Sequence, residues 1–239
     1  MVSVTIYVEG GIVNASESAE AKTIDNSSVF REGFHKLFSQ KFAEDDFDLI
    51  VQPIGPISQT KNYLKKLIDD EIDGVILIDL DGPKNRKNDR LQSYSPLDTS
   101  RLFFMIQEME SWILSQSEKL DEHAENEGLT RKRTNEEIGN DPLIRNTHPE
   151  ELSDPSGKLN TLFRKYFSIE KNRRGKVEKK PKSYSKTKDG PKLIGLLNLD
   201  SLIEVFDEAN SLIIFLMDEN RDNVDADTAQ NNSQNGKCR

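Results

Sequence analysis

The sequence predicts an α/β fold built on a four-stranded parallel sheet with helices on its faces. Short apolar or β-branched runs at 2–8, 48–54, 74–80 and 102–106 alternate with helical patterns. The run at 74–80, GVILIDL, is almost continuously apolar, which is typical of a central strand covered on both faces. Because strands that alternate with helices favour parallel pairing, we expect one parallel sheet.

Helical spacing of apolar residues predicts the elements between the strands. A first helix is expected from about 28 to 43, a second over 58–70, and a third from 107 or 108 to about 116 with Trp112 on its apolar face. The residues that define the first helix are Phe30, Phe34, Leu37, Phe38 and Phe42. These segments make residues 1–116 the expected α/β core.

The remaining chain is expected to form an extension and a tail. Residues 117–217 are interpreted as a helical extension that contains a mobile basic loop at 168–192 and two helices at 193–217. Residues 218–239 are rich in Asn and Asp, which favours a disordered tail.

Charge is distributed unevenly along the 239 residues. The formal net charge is −9, yet 158–192 holds thirteen Lys or Arg and three acids, a balance of +10 against −19 elsewhere. A basic segment of this size favours contact with nucleic-acid phosphates, and a solvated lysine-rich surface loop is the alternative. The residues assigned to nucleic-acid binding are Lys171, Arg173, Arg174, Lys176, Lys186, Lys188 and Lys192.

Cysteine content and hydropathy limit the class of protein. The single cysteine, Cys238, cannot form an internal disulfide, and no apolar run approaches the length of a membrane span. Met1 leads directly into the first strand rather than into a secretory signal. We therefore expect a cytoplasmic protein without a membrane partner. The three histidines show no metal-ligand spacing and are expected at the surface.

Three carboxylates follow strands of the predicted sheet. Glu9 closes the first strand, and Asp79 and Asp81 end the third, two residues apart and so on the same face of a strand. Sites of parallel sheets form beyond the carboxyl ends of the strands. Carboxylates there suit Mg²⁺ or Mn²⁺, and Gly10 and Gly11 would let the backbone approach a phosphate or metal closely. Two solvated strand-end loops are the alternative.

Two segments, Tyr7-Val8-Glu9-Gly10 and ILIDLD at 76–81, resemble the Toprim fold of topoisomerases, primases and small nucleases. Within that fold the chain is similar to the domain-of-unknown-function 4276 family of bacterial proteins. Four segments carry this narrower resemblance: IYVEGG at 6–11, REGFHKLF at 31–38, MIQEMESW at 105–112, and Tyr184-x-Lys186 before LIGLLNLDSL at 193–202.

The resemblance implies roles for individual residues. It implies Glu9 as an acid–base group or metal ligand, and Asp79 and Asp81 as metal ligands. Gln107 and Glu110 match the fourth motif and are expected to project into the same crevice, with Glu110 as a further ligand. Lys186 would stabilise charge that develops on a phosphorus centre.

Three functions are compatible with these residues. The first is a Mg²⁺-dependent Toprim-type nuclease which, by the resemblance, works beside an AAA- or ABC-type ATPase in defence against phage. The second is a non-catalytic module that binds such an ATPase or a nucleic acid. The third, a phosphotransfer enzyme with Asp79 as nucleophile, is disfavoured because that chemistry usually needs an aspartate where Glu9 stands.

Overall fold

The computed structural model describes residues 2–11, 27–42, 47–173 and 176–218. It confirms an α/β fold around a four-stranded, all-parallel sheet in the order β2-β1-β3-β4. The strands are β1 (Val2–Val8), β2 (Phe47–Pro53), β3 (Val75–Asp79) and β4 (Leu102–Met105). All four carboxyl ends therefore lie at one edge of the sheet.

Helices cover both faces of this sheet and continue along the second half of the chain. They are α1 (Ser27–Phe38), α2 (Thr60–Ile68), α3 (Lys87–Gln92), α4 (Met109–Ser115), α5 (Lys119–Asn126), α6 (Pro155–Tyr166), α7 (Asp189–Ile194), α8 (Leu199–Val205) and α9 (207–218).

The central strand β3 is buried on both faces, as its apolar run predicts. Its side chains alternate, so that Val75 and Leu77 join the apolar layer that contains α1 while Ile76 and Ile78 join the layer that contains α2. All five residues of the strand are buried. Burial on both faces fixes the register of β3, and with it the position of the acids that follow.

The extension packs on the core of the sheet rather than forming a core of its own. One continuous cluster of buried side chains runs from Val4 in β1 through Trp112 in α4 to Leu216 in α9. Phe103 of β4 meets Phe215 of α9 at 5.6 Å between ring centroids. The residues before and after position 116 thus share one hydrophobic core.

The extension also contains strands, so the prediction of a loop over 168–192 is wrong for most of that segment. Strands β5 (Thr130–Arg131), β6 (Phe167–Arg173) and β7 (Lys176–Pro181) form a small antiparallel sheet, and α7 follows it. The sequences of β6 and β7, FSIEKNR and KVEKKP, are rich in charged residues and so have the composition of a surface loop.

Other boundaries differ in smaller ways. Residues 193–217 contribute to three helices instead of two, and α3 and α6 were not predicted. The expected polar loop at 12–26 and the expected disordered tail beyond 218 lie outside the described residues. None of the helices in the described part of the chain is both long and apolar enough to span a membrane.

Gly33 provides a test of how α1 packs against α7. A Cβ atom at this position would lie 2.0 Å from the Pro191 carbonyl oxygen, so an alanine must push the two helices apart. We expect Gly33→Ala to lower the free energy of unfolding by about 2 kcal/mol or more and Tm by about 4 °C or more. Thermal unfolding followed by circular dichroism measures this.

Gly139→Ala is the control, because its new methyl group would meet only the Ser117 hydroxyl, at 3.1 Å. A Tm loss for Gly33→Ala no larger than that of the control would contradict the close approach of α1 and α7.

Candidate functional site

An open cavity of about 320 Å³ lies at the carboxyl edge of the parallel sheet. Its wall includes the ends of β1, β2 and β3, the start of α4 and residues 186–187. Glu9, Asp79, Asp81 and Lys186 all line it. The structure therefore brings three of the acids and one of the bases singled out in the sequence to the same place.

Glu9 is placed by the pairing of β1 with β3. Its backbone N–H donates to the Leu77 carbonyl at 2.9 Å, and its Oε2 accepts from the Asp79 N–H at 3.1 Å. Burial and the nearby Asp81 raise the pKa of Glu9 from 4.5 to about 7, against the lowering effect of the Asp79 N–H and of Lys186. Glu9 can therefore take up or release a proton near neutral pH.

Asp79 is buried between the sheet and α4. Its Oδ1 accepts from the Met109 N–H at 2.8 Å, an amide at the free amino end of α4, and its Oδ2 lies 3.3 Å from Lys186 Nζ. Burial raises the pKa of Asp79 to about 7; Lys186 opposes that rise, while Glu9 and Glu110 add to it. Two coupled carboxylates with raised pKa values thus stand side by side.

Asp81 occupies a different position from the one expected. The sequence places it on the same face of a strand as Asp79, but β3 ends at Asp79 and Asp81 has a left-handed backbone with φ 54°. The chain turns there because Gly82 pairs with Gln107. The Asp81 side chain is half-exposed, with Arg90 Nη2 at 3.7 Å from its Oδ2.

The two glycines after Glu9 are required by the backbone. Gly10 and Gly11 have φ values of 108° and 77°, and Gly10 exchanges two backbone hydrogen bonds with Gly55. A Cβ at Gly11 would lie 2.8 Å from Pro53 Cβ, and one at Gly10 would lie 3.1 Å from the Phe30 ring. Both glycines line the cavity, as expected, and they also tie the end of β1 to the end of β2.

Lys186 contacts three carboxylates at once. Its Nζ lies 3.3 Å from Asp79 Oδ2, 3.2 Å from Glu108 Oε2 and 3.2 Å from Glu110 Oε2. Burial lowers the pKa of this ammonium, but the three carboxylates raise it by more, so the net shift is upward. Lys186 consequently keeps its positive charge at neutral pH and cannot act there as a base.

Glu110 lies behind Lys186 rather than on the cavity wall. Its side chain has no exposed surface, and its Oε1 accepts from the Tyr184 hydroxyl at 3.0 Å. Burial raises its pKa, and Lys186 limits the rise. In this conformation Glu110 is a partner of Lys186 and Tyr184.

Gln107 does not project into the cavity as expected. Its backbone has φ 65°, and its Nε2 donates to the Glu150 carbonyl at 2.9 Å. The left-handed backbone turns the side chain toward the extension, so Gln107 joins the edge of the sheet to residues 149–151.

A buried aspartate anchors the segment that carries Lys186. Asp189 accepts from Lys182 Nζ at 2.5 Å and from the Ser185 N–H at 2.7 Å, and His123 Nε2 lies 3.4 Å away. His123 is buried beside it, so the expectation of a surface histidine is wrong here. We call residues 182–189, closed by these contacts, the lysine strap.

The predicted nucleic-acid-binding residues stand on different elements of the fold. Lys192 Nζ pairs with Glu127 Oε1 at 2.6 Å beside a second cavity, between α1, α5 and α7. Lys188 is exposed at the start of α7. The backbones of Lys171, Arg173 and Lys176 belong to the β6–β7 hairpin, while their side chains and the whole of Arg174 lie outside the described residues.

Two residues near the cavity were missed in the sequence. Glu108 contacts Lys186 and also accepts from the Ser156 N–H at 3.2 Å, and the Glu-x-Glu spacing with Glu110 was its only signal. Arg90 Nη2 donates to the Leu80 carbonyl at 3.3 Å next to Asp81. It stands on α3, a helix that the sequence did not predict.

The carboxylates at this edge are the type of ligand that a hard divalent cation prefers. Glu9, Asp79 and Asp81 offer carboxylate oxygens to one cavity, where burial is the main cause of the raised pKa values of Glu9 and Asp79. Within the described ranges, however, no three His, Cys, Asp or Glu side chains stand close enough to ligate one ion. Binding would require the half-exposed Asp81 side chain to turn toward Glu9.

Comparison of the chain with protein-family models, curated proteins and solved structures finds no match of any of the three kinds. The geometry and chemistry of this cavity are accordingly the basis for a functional proposal.

The raised pKa of Glu9 predicts how stability depends on pH. The folded chain keeps a proton on Glu9 up to about pH 7, whereas an unfolded chain releases it near 4.5. Raising the pH through this range therefore destabilises the fold, and Glu9→Gln removes that contribution. In metal-free buffer we expect the Tm of Glu9→Gln minus the Tm of the wild type to rise by several degrees between pH 5 and pH 8.

The exposed Glu71→Gln serves as the control and should follow the wild type at every pH. Parallel Tm curves for wild type and Glu9→Gln would show that burial does not raise the pKa of the Glu9 carboxyl.

Proposed function

We propose that this chain is a metal-dependent phosphodiester hydrolase of the Toprim type that acts on nucleic acid. One observation carries the proposal: Glu9, Asp79 and Asp81 line a single cavity at the carboxyl edge of a parallel sheet, with the Lys186 ammonium among them. The order of strands and helices agrees with the fold that the resemblance implies, and membership of the 4276 family is part of the proposal.

Glu9, Asp79 and Asp81 would hold Mg²⁺ or Mn²⁺. The bound cation would activate water and neutralise charge on a phosphate. Glu9 Oε2 is engaged by the Asp79 N–H, which fixes the carboxylate, so Oε1 is the oxygen that would either contact the cation or accept a proton. A pKa near neutrality suits the second of these roles.

Lys186 would contribute a fixed positive charge. It lines the cavity with its side chain about half exposed, and three carboxylates hold the ammonium protonated. A charge positioned in advance stabilises negative charge that develops on a phosphate without reorganisation. Arg90, beside Asp81, adds a second cation near the same edge.

The rest of the proposal concerns partners. The basic residues of the β6–β7 hairpin would hold the nucleic-acid backbone through its phosphates. By the resemblance, an AAA- or ABC-type ATPase would be the companion protein, and defence against phage the setting.

One observation favours a second candidate, a non-catalytic module that binds nucleic acid or an ATPase. In the described part of the chain no group of three His, Cys, Asp or Glu side chains is arranged to hold a metal ion, and Lys186 already pairs with Asp79. A binding module would keep the fold and the basic hairpin but would show no metal-dependent turnover.

Cleavage assays distinguish the two candidates. Plasmid DNA, single-stranded DNA and tRNA are incubated with the protein and Mg²⁺ or Mn²⁺. We expect cleavage of at least one substrate, abolished by a chelator and reduced about 100-fold or more in Glu9→Gln and Asp79→Asn. Both substitutions keep an oxygen for the backbone N–H that the carboxylate now accepts.

Glu71→Gln, an exposed change away from the cavity, should cleave like the wild type. Cleavage that persists in both site variants would eliminate this cavity as the active site, whereas binding without cleavage under any condition would favour the module.

Salt dependence tests the hairpin separately. Replacing Lys171, Arg173, Arg174 and Lys176 by Gln should weaken binding of a fluorescent duplex and reduce the slope of log K against log salt by up to about 3.6, because each phosphate contact contributes about 0.9. Fluorescence anisotropy over a range of salt concentrations measures this. An unchanged slope would mean that the hairpin does not touch the phosphates.

A further inference from the structure

The carboxylates around Lys186 are spaced for an ammonium rather than for a small metal ion. Three oxygens from Asp79, Glu108 and Glu110 lie 3.2–3.3 Å from Nζ. Mg²⁺ requires oxygens at about 2.1 Å in octahedral geometry. Each oxygen would have to move inward by about 1 Å to suit Mg²⁺, and Glu110 is buried and held by Tyr184.

The ammonium is held in place from two sides. Asp189 closes the lysine strap through Lys182 and Ser185, and Tyr184 within the strap donates to Glu110. His123 of α5 also faces Asp189. Because the strap is anchored at both ends, Lys186 does not depend on its own flexible side chain alone to find the carboxylates.

We propose that Lys186 permanently fills the second cation position of this site, so that the chain binds one divalent cation and not two. The inference rests on the proposed function. It divides the acids into two sets that share Asp79: Glu9, Asp79 and Asp81 face the exchangeable cation, while Asp79, Glu108 and Glu110 hold the ammonium.

Removal of the ammonium would leave this acidic pocket without its cation. Asp79 and Glu110 are buried, so without Lys186 their charges lose the ammonium that contacts them. A second divalent cation is then the simplest counter-charge. Lys186→Met removes the positive charge, so that the three oxygens can draw inward by about 1 Å around a divalent cation, and it should therefore convert a one-cation site into a two-cation site.

The test is the number of Mn²⁺ ions bound per full-length chain. Calorimetric titration, checked by electron paramagnetic resonance of free Mn²⁺, should give one ion for the wild type and two for Lys186→Met. Lys179→Met is the matched control, because Lys179 forms an exposed ion pair with Glu170, and it should bind one ion like the wild type. Lys186→Arg, which retains a positive charge, should also bind one.

Thermal unfolding shows whether the Lys186→Met variant is folded. At pH 8 without metal, Lys186→Met should have a lower Tm than the wild type. Saturating Mn²⁺ should raise the Tm of Lys186→Met by more than it raises the Tm of Lys179→Met. If Lys186→Met does not fold even with Mn²⁺, the number of Mn²⁺ ions bound per chain by the wild type and by Lys186→Arg still tests the inference.

The outcomes separate this inference from the proposed function. Two ions on the wild-type chain, or one on a folded Lys186→Met, overturn the inference while metal-dependent cleavage stands. One ion on the wild type and two on Lys186→Met without cleavage support the inference and count against the hydrolase. A wild-type chain that binds no Mn²⁺ overturns both.

Discussion

The contact of one ammonium with three carboxylates is the constraint on which the site depends. Asp79 and Glu110 are buried at the edge of the sheet, where negative charge is costly unless it is compensated. Lys186 supplies the compensation from a segment 107 residues further along the chain than Asp79. The acidic edge therefore exists in its described form only because the second half of the chain folds over it.

Much of the fold and part of the site could be predicted from local patterns. The apolar run of β3 and the turn at Gly10 and Gly11 fix where two strands end, and parallel strands end at a common edge. The proximity of Glu9 and Asp79 follows from those two facts alone. Local patterns in the sequence are therefore enough to predict that these two acids lie close together.

The remaining features depend on contacts that no local pattern encodes. Asp81 leaves the face of Asp79 because β3 ends two residues earlier and Gly82 pairs with Gln107. The β6–β7 hairpin is concealed by its charges, which give it the composition of a loop. By contrast α6 carried readable signals: Pro155 in its first turn and an Asp154 side chain that accepts from the Gly157 N–H at 3.1 Å.

The shared core gives the lysine strap its place in the architecture. Leu193 and Ile194 of α7, directly after the strap, are fully buried in the same cluster as the phenylalanines of α1. Glu127, the residue directly after α5, pairs with Lys192 on α7 and so links a third helix to this group. The strap is thus supported by core packing on one side and by Asp189 on the other.

A consequence concerns the division of the chain at residue 116. A core cut at that point would retain Glu9, Asp79, Asp81 and Glu110 but would lose Lys186 and Tyr184. Since burial raises the pKa values of Glu9, Asp79 and Glu110 even with Lys186 present, its loss would drive these groups further toward the neutral form. The extension is therefore an integral part of any chemistry at the sheet edge, because it sets the charge state of the acids that the sheet brings together.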